Sequence, residues 1–187
     1  MRFGLGVIEG FFGPPWGWEA RGAQMAWLRP EGYQSYIYAP KAEAGLRGAW
    51  RAGLGAGTLA RLAGLRAEAR AQGLRFGLGL TPQEYDPGDG CERAVLAARL
   101  ADLAALQPDI LCLLFDDLPS TPDLAERHVA TCAQVLAASP APEVIVCPAV
   151  YSDDPILPEV FGPAPEGYLE TLCQSLPPEV GLFWTGP

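Results

Sequence analysis

Two adjacent carboxylates, Asp116 and Asp117, follow the apolar run Ile110-Leu111-Cys112-Leu113-Leu114-Phe115 and precede Leu118-Pro119. The run is too short for a free-standing helix, and the proline blocks further regular pairing, so it reads as a strand buried on both faces with acids at its C-terminal end. Strands covered on both sides belong to parallel sheets, and parallel α/β folds place their chemistry at the carboxyl ends of the strands. Consecutive strand residues point to opposite faces. At the last residue, however, the chain is already turning, which lets both carboxylates face one pocket. Paired acids divide labour: one stays ionised to orient and stabilise positive charge, and its neighbour keeps a proton to donate. The same residues admit two plainer roles, capping of the next helix and coordination of a metal. The metal reading predicts dependence on a divalent cation.

The rest of the chain alternates strand and helix patterns around this pair. Phe3 to Glu9 is a strand candidate, followed by a loop from Gly10 to Trp16 rich in glycine and proline. Gly4, Gly6 and Gly10 do not form a dinucleotide fingerprint, because the third glycine falls one place late and Pro14 and Pro15 stand where the phosphate-binding helix should start. Helical spacing from Trp18 to Leu28 precedes a strand, Tyr36 to Ala39, that ends at Pro40-Lys41 and so puts another charge at a strand terminus. A helix from Leu59 to Ala71, a strand from Leu74 to Leu80, a turn at Asp86 to Gly90 and a helix from Glu92 to Leu106 lead to the central strand. Beyond it, Thr121-Pro122-Asp123 reads as an N-cap with proline at the first position, opening a helix to about Ala138. Val144 to Cys147, a short helix from Tyr168 to Leu176, and Val180 to Trp184 complete the pattern. Six strands alternating with five helices predict a parallel α/β fold in a single domain over residues 1–187. A (β/α)8 TIM-type barrel typically needs about 250 residues, so the chain would supply about six βα units of one. An open doubly wound parallel sheet is the structural alternative.

Composition narrows the function classes. The net charge of −9, from 13 basic and 22 acidic residues, argues against nucleic acid as a partner and favours a neutral or weakly polar substrate. The five cysteines, Cys91, Cys112, Cys132, Cys147 and Cys173, are odd in number and widely spaced, which predicts reduced thiols and no disulfide framework. With one histidine, His128, the chain has no metal-ligand cluster by spacing, and no cofactor is expected. The N-terminal apolar run is too short for a signal peptide and no later segment approaches a membrane span, so a soluble, cytoplasmic protein is expected.

Five blocks, taken in order, resemble the signature blocks of glycoside hydrolase family 84, the O-GlcNAcases and bacterial β-N-acetylglucosaminidases. They are Gly6-Val7-Ile8-Glu9-Gly10-Phe11-Phe12-Gly13-Pro14-Pro15-Trp16, Tyr36-Ile37-Tyr38-Ala39-Pro40-Lys41, Leu114-Phe115-Asp116-Asp117, Cys147-Pro148 with Tyr151, and Trp184-Thr185-Gly186-Pro187. The similarity runs from Gly6 to Pro187 and corresponds to about the first two-thirds of the family's catalytic barrel. The resemblance implies retaining hydrolysis of terminal GlcNAc from a glycan or glycoprotein, in which the substrate's own 2-acetamido oxygen attacks the anomeric carbon and forms an oxazoline. It implies that Asp116 orients and polarises the acetamide N–H and that Asp117 is the general acid and later the base. By the same resemblance the backbone carbonyl of Gly10 and the side chain of Lys41 hold sugar hydroxyls, and Cys147, Tyr151 and Thr185 line the acetamide pocket. Three positions depart from the family pattern: Phe12 replaces a tyrosine, Ala42 an acid, and Gln83 a glycine.

A six-strand arc of a barrel would leave its first and sixth strands with unpaired edges. The chain is therefore expected to be part of a longer protein, or to have its edges covered by another copy or by rearranged helices. Two function classes follow, a β-N-acetylglucosaminidase and a non-catalytic relative that binds carbohydrate or serves in assembly.

Overall fold

A computed structural model describes residues 4–139 and 141–185. Its strands are β1 (Gly6–Glu9), β2 (Ser35–Tyr38), β3 (Arg75–Leu80), β4 (Ile110–Leu114), β5 (Glu143–Cys147) and β6 (Gly181–Leu182), and its helices are α1 (Trp18–Leu28), α2 (Ala56–Ala71), α3 (Gly90–Ala104), α4 (Leu124–Ala137), α5 (Ile156–Phe161) and α6 (Tyr168–Ser175). The strands form one parallel sheet whose spatial order is the sequence order, β1 to β6. No strand order reverses, so the doubly wound alternative is excluded. Every crossover runs in the same direction, and right-handed crossovers then place all helices on one face. The sheet curls away from them into half of a barrel.

Side chains alternate between the two faces. Tyr36, Tyr38, Phe76, Leu78, Leu80, Leu111, Leu113 and Val146 point outward into the main core, against Met25, Leu28, Leu62, Leu65, Leu96 and Leu100 of the helices. Ile37, Ala39, Ile110, Cys112, Leu114 and Cys147 form a second cluster on the concave face. All five residues of β4 are buried, as its apolar run predicts. The inward positions in the middle of β3 are glycines, Gly77 and Gly79. A Cβ on Gly77 would lie 2.8 Å from Ile37 Cγ1, and one on Gly79 would lie 2.5 Å from Ala39 Cβ and 2.8 Å from Leu114 Cδ1. The missing side chains let β2 and β4 meet across β3.

Among the described residues the sheet edges are open, since β1 and β6 each pair on one side. Ile8, in register with inward-facing Ile37, is exposed, and so are Leu182 and Trp184 beyond the other edge. Several element boundaries differ from the sequence expectation. The final strand is two residues long, not Val180 to Trp184, because an edge strand has one neighbour to hold it; Phe183 N–H still donates to Val146 O at 2.9 Å. Helix α4 starts at Leu124, and Thr121 is not its cap: its hydroxyl donates to the Asp123 carboxylate at 2.9 Å. A sixth helix, α5, lies in the Asp- and Pro-rich segment between β5 and α6, where the sequence pattern gives none. Pro158 is tolerated there because it falls in the first turn, where a backbone N–H needs no intrahelical partner. All five cysteines are free, with Cys112, Cys132 and Cys147 buried. No described helix is long and apolar enough to cross a membrane.

Candidate active site

Charged side chains gather where β1, β2 and β4 end. At the end of β1, Glu9 is fully buried on the helix side of the sheet. Its carboxylate accepts from Arg21 Nε and Nη2, both at 2.8 Å, from the Trp16 backbone N–H at 3.1 Å, and from the Tyr36 hydroxyl. Arg21 also lies over the rings of Trp18 and Tyr38, 4.4 and 4.8 Å from their centroids. Every strong acceptor position of Glu9 is used, and the loop from Gly10 to Trp16 is fastened to the sheet at both ends. Burial and the neighbouring carboxylate push the Tyr36 phenol well above its usual range, so it stays a donor.

The end of β4 is built differently. Phe115 N–H donates to Cys147 O at 2.9 Å, carrying the ladder one residue past the strand, and its ring points outward to stack on His128. Asp116 therefore returns to the inner face. Asp117 has φ 62°, a left-handed turn that aspartate tolerates better than most residues, and it swings the second carboxylate to the side of the first. Lys41, in the loop after β2, bridges the two: its ammonium pairs with Asp116 Oδ2 and lies 2.6 Å from Asp117 Oδ2. Arg47 follows the short 3-10 turn Ala44–Leu46 and brings Nη2 to 3.7 Å from Asp117 Oδ2. Tyr151 donates its hydroxyl to Asp117 Oδ1 over 3.4 Å. Asp116 Oδ1 is buried and has no partner among the described residues.

The two neutral groups beside the carboxylates are held neutral by their surroundings. Burial, then the charge of Asp116, pushes the Cys147 thiol up to about 12. Burial, then Asp117 and Asp116, does the same to the Tyr151 phenol. Both remain protonated over the physiological range, Tyr151 as a hydrogen-bond donor and Cys147 as a small apolar wall. The exposed ring of Phe12 lies 5.3 Å from Lys41 Nζ and 5.8 Å from the Arg47 guanidinium carbon, covering both cations.

Of the residues selected from sequence, Asp116, Asp117, Lys41 and Tyr151 are in direct contact, and Cys147 is close enough to feel both charges. Thr185 is exposed, and its backbone N–H donates to Tyr151 O at 2.7 Å, so it clamps the backbone of Tyr151. Gly10 stands at the end of β1, across β2 and β3 from the carboxylates. Arg47, Phe12 and the Glu9–Arg21 pair were not selected. The available signal for Glu9 was its place as an acid at the end of an apolar strand, the same signal that marks Asp116.

The arrangement suits a small, neutral, polar molecule. It offers a carboxylate acceptor at Asp116 Oδ1, a second carboxylate beside it, an ammonium and a phenol as donors, and an apolar inner wall. The Lys41 ammonium occupies the position between the carboxylates that a metal ion would need.

A family model described as beta-N-acetylglucosaminidase matches residues 5–187. Two curated relatives, the proteins named Protein O-GlcNAcase of Rattus norvegicus and of Mus musculus, are each 28% identical over 197 aligned positions, covering 100% of this chain and 21% of the relative. Among solved structures, a mutant of the O-GlcNAc hydrolase of Thermobaculum terrenum superposes with a TM-score of 0.83 at 26% identity, covering 97% of this chain and 41% of that one. The chain thus spans about a fifth of the length of these curated relatives and less than half of the solved one.

Proposed function

The chain belongs to the beta-N-acetylglucosaminidase family of glycoside hydrolases, and from that premise we propose that it hydrolyses terminal β-linked GlcNAc from a glycan or glycoprotein, with retention and with the substrate's acetamide as the nucleophile. The observation that carries this reading is the buried Asp116 Oδ1, which has no partner among the described residues. A buried carboxylate oxygen without a donor is costly, and an acetamide N–H would satisfy it.

In this mechanism Asp116 accepts the acetamide N–H and raises the electron density on the acetamide oxygen. That oxygen attacks the anomeric carbon as the glycosidic bond breaks, and Asp117 donates its proton to the departing oxygen. Water then adds to the anomeric carbon from the face the leaving group vacated, giving its proton to Asp117, and the oxazoline opens to GlcNAc. No protein nucleophile is required, which explains how two acids on one strand end suffice. Lys41 and the Gly10 carbonyl hold sugar hydroxyls, and Cys147, Tyr151 and Thr185 close around the acetamide. The free edges of β1 and β6 favour a second reading, a carbohydrate-binding or assembly module.

A fluorogenic N-acetyl-β-glucosaminide tests the proposal, with and without a chelator and beside the matching β-glucoside. The expected result is chelator-insensitive turnover of the first substrate and none of the glucoside. A folded sample that turns over neither, yet binds GlcNAc saturably, would move the assignment to the binding module. Turnover abolished by the chelator would overturn the metal-free mechanism.

A further inference from the structure

Behind the carboxylate pair, on the helix side of β4, lies a cavity of about 380 Å³. It is bounded by the loop after β3, the end of β4 and α4, and Asp117 of the candidate active site lies in its wall. Phe115, Leu118, Leu124 and Tyr85 make most of its lining apolar and aromatic. Its volume falls within the range of small-molecule sites, roughly 300–1,000 Å³.

One buried polar group in this lining has an atom to spare. His128 is 6% exposed, and its Nδ1 lies 2.9 Å from the Tyr168 hydroxyl oxygen. That oxygen already accepts the Ala149 N–H at 2.9 Å, and among the described residues Nδ1 is the one acceptor within reach of the phenol hydrogen, which assigns that hydrogen to Nδ1. Nδ1 is then an acceptor, and the ring carries its proton on Nε2. The ring is fixed in place, stacked on Phe115 with centroids 3.8 Å apart and planes 6° from parallel, and edge-on to Tyr168. Burial first, and the charge of Arg127 second, lower its pKa to about 3, so the imidazole is neutral at physiological pH. Nε2–H has no partner among the described residues.

The charged groups around the cavity decide what kind of molecule would use this donor. Arg127 is already committed, donating to Tyr85 O at 2.7 Å and facing the Asp123 carboxylate at 3.8 Å. Glu84 and Asp117 border the same space, which disfavours an anion. A neutral acceptor carried on a flat apolar body fits both the donor and the walls. We propose that this cavity binds a small uncharged aromatic carbonyl compound, its ring packed between Leu118 and Leu124 and its carbonyl oxygen accepting from His128 Nε2–H. Because Asp117 lies in the cavity wall, occupancy reaches the turn that carries the acid.

His128 is the sole histidine of the chain, so protein labelled with 15N-histidine gives the signals of a single imidazole, and benzamide serves as the probe. The expected result is an Nε2–H tautomer at rest, a saturable Nε2 shift on titration with benzamide, and loss of that shift in Thr121→Trp. Thr121 is exposed on the cavity rim, so the larger side chain fills the mouth without disturbing the core. An Nδ1–H tautomer, no saturable shift, or an equal shift in Thr121→Trp would overturn the proposal. None of these readouts depends on turnover at the sugar site.

Discussion

Glu9 and the Asp116–Asp117 pair are alike in sequence and opposite in structure. Each stands at the C-terminal end of an apolar parallel strand on the same side of the sheet. Glu9 faces the helices, is fully buried, and has its carboxylate taken by an arginine, a phenol and a backbone N–H. The aspartates face the concave side and share one lysine, Arg47 lies 3.7 Å from Asp117 alone, and one buried oxygen has no donor among the described residues. A satisfied buried acid holds a fold together. An unsatisfied one beside a cavity is available to a ligand. The difference lies in which face the terminal residue points to and in whether a cation arrives from the adjacent helix.

Substitutions at the two ends should separate cleanly by readout. Asp117→Asn keeps a residue that tolerates positive φ and removes the proposed proton donor; it should lower kcat/KM by about 10²–10⁴-fold. Its stability, measured by urea denaturation, should change by no more than about 1 kcal/mol, since Lys41 still has Asp116. Glu9→Ala should do the reverse. It strands the buried Arg21 guanidinium and should cost about 3–5 kcal/mol of unfolding free energy, and any loss of activity should track the loss of folded protein. If Glu9→Ala left the urea midpoint in place while abolishing turnover, the contrast between the two ends would be wrong.

Acidification sharpens the same contrast. The folded pKa of His128, about 3, lies below the ordinary value near 6.5, so the unfolded chain takes up its proton first as the pH falls. Its contribution is complete above pH 6.5 and is lost progressively as the pH drops toward 3. Between pH 6.5 and 5 this amounts to up to about 2 kcal/mol. The slope should flatten in His128→Gln if the imidazole is its source. The smallest effect belongs to Thr185. Its recorded contact is a backbone N–H, so Thr185→Ala should shift stability by less than about 0.5 kcal/mol, and a rise in KM would mark its side chain as part of the acetamide slot.

The strand-helix alternation and the burial of β4 on both faces were legible because their periodicities are local. Convergence of Lys41 with Asp116 and Asp117 was legible for a topological reason: parallel strands bring their carboxyl ends to one side whatever the intervening sequence. Periodicity alone did not choose between a barrel and a doubly wound sheet, because that depends on strand order; the family resemblance did. The role of Glu9 was hidden because its partner lies twelve positions on, in a helix whose orientation spacing does not reveal. Arg47 reaches Asp117 through a 3-10 turn with no distinctive residue pattern, and α5 was obscured by prolines that in fact lie at its cap and in its first turn.

In the proposed mechanism the β4 acids serve a nucleophile supplied by the substrate. The most direct test is the rate of hydrolysis of fluorogenic β-glucosaminides whose N-acetyl group carries zero, one, two or three fluorines. If the acetamide oxygen attacks, with Asp116 polarising its N–H, kcat/KM should fall steeply with each fluorine. A rate indifferent to fluorination would contradict the claim.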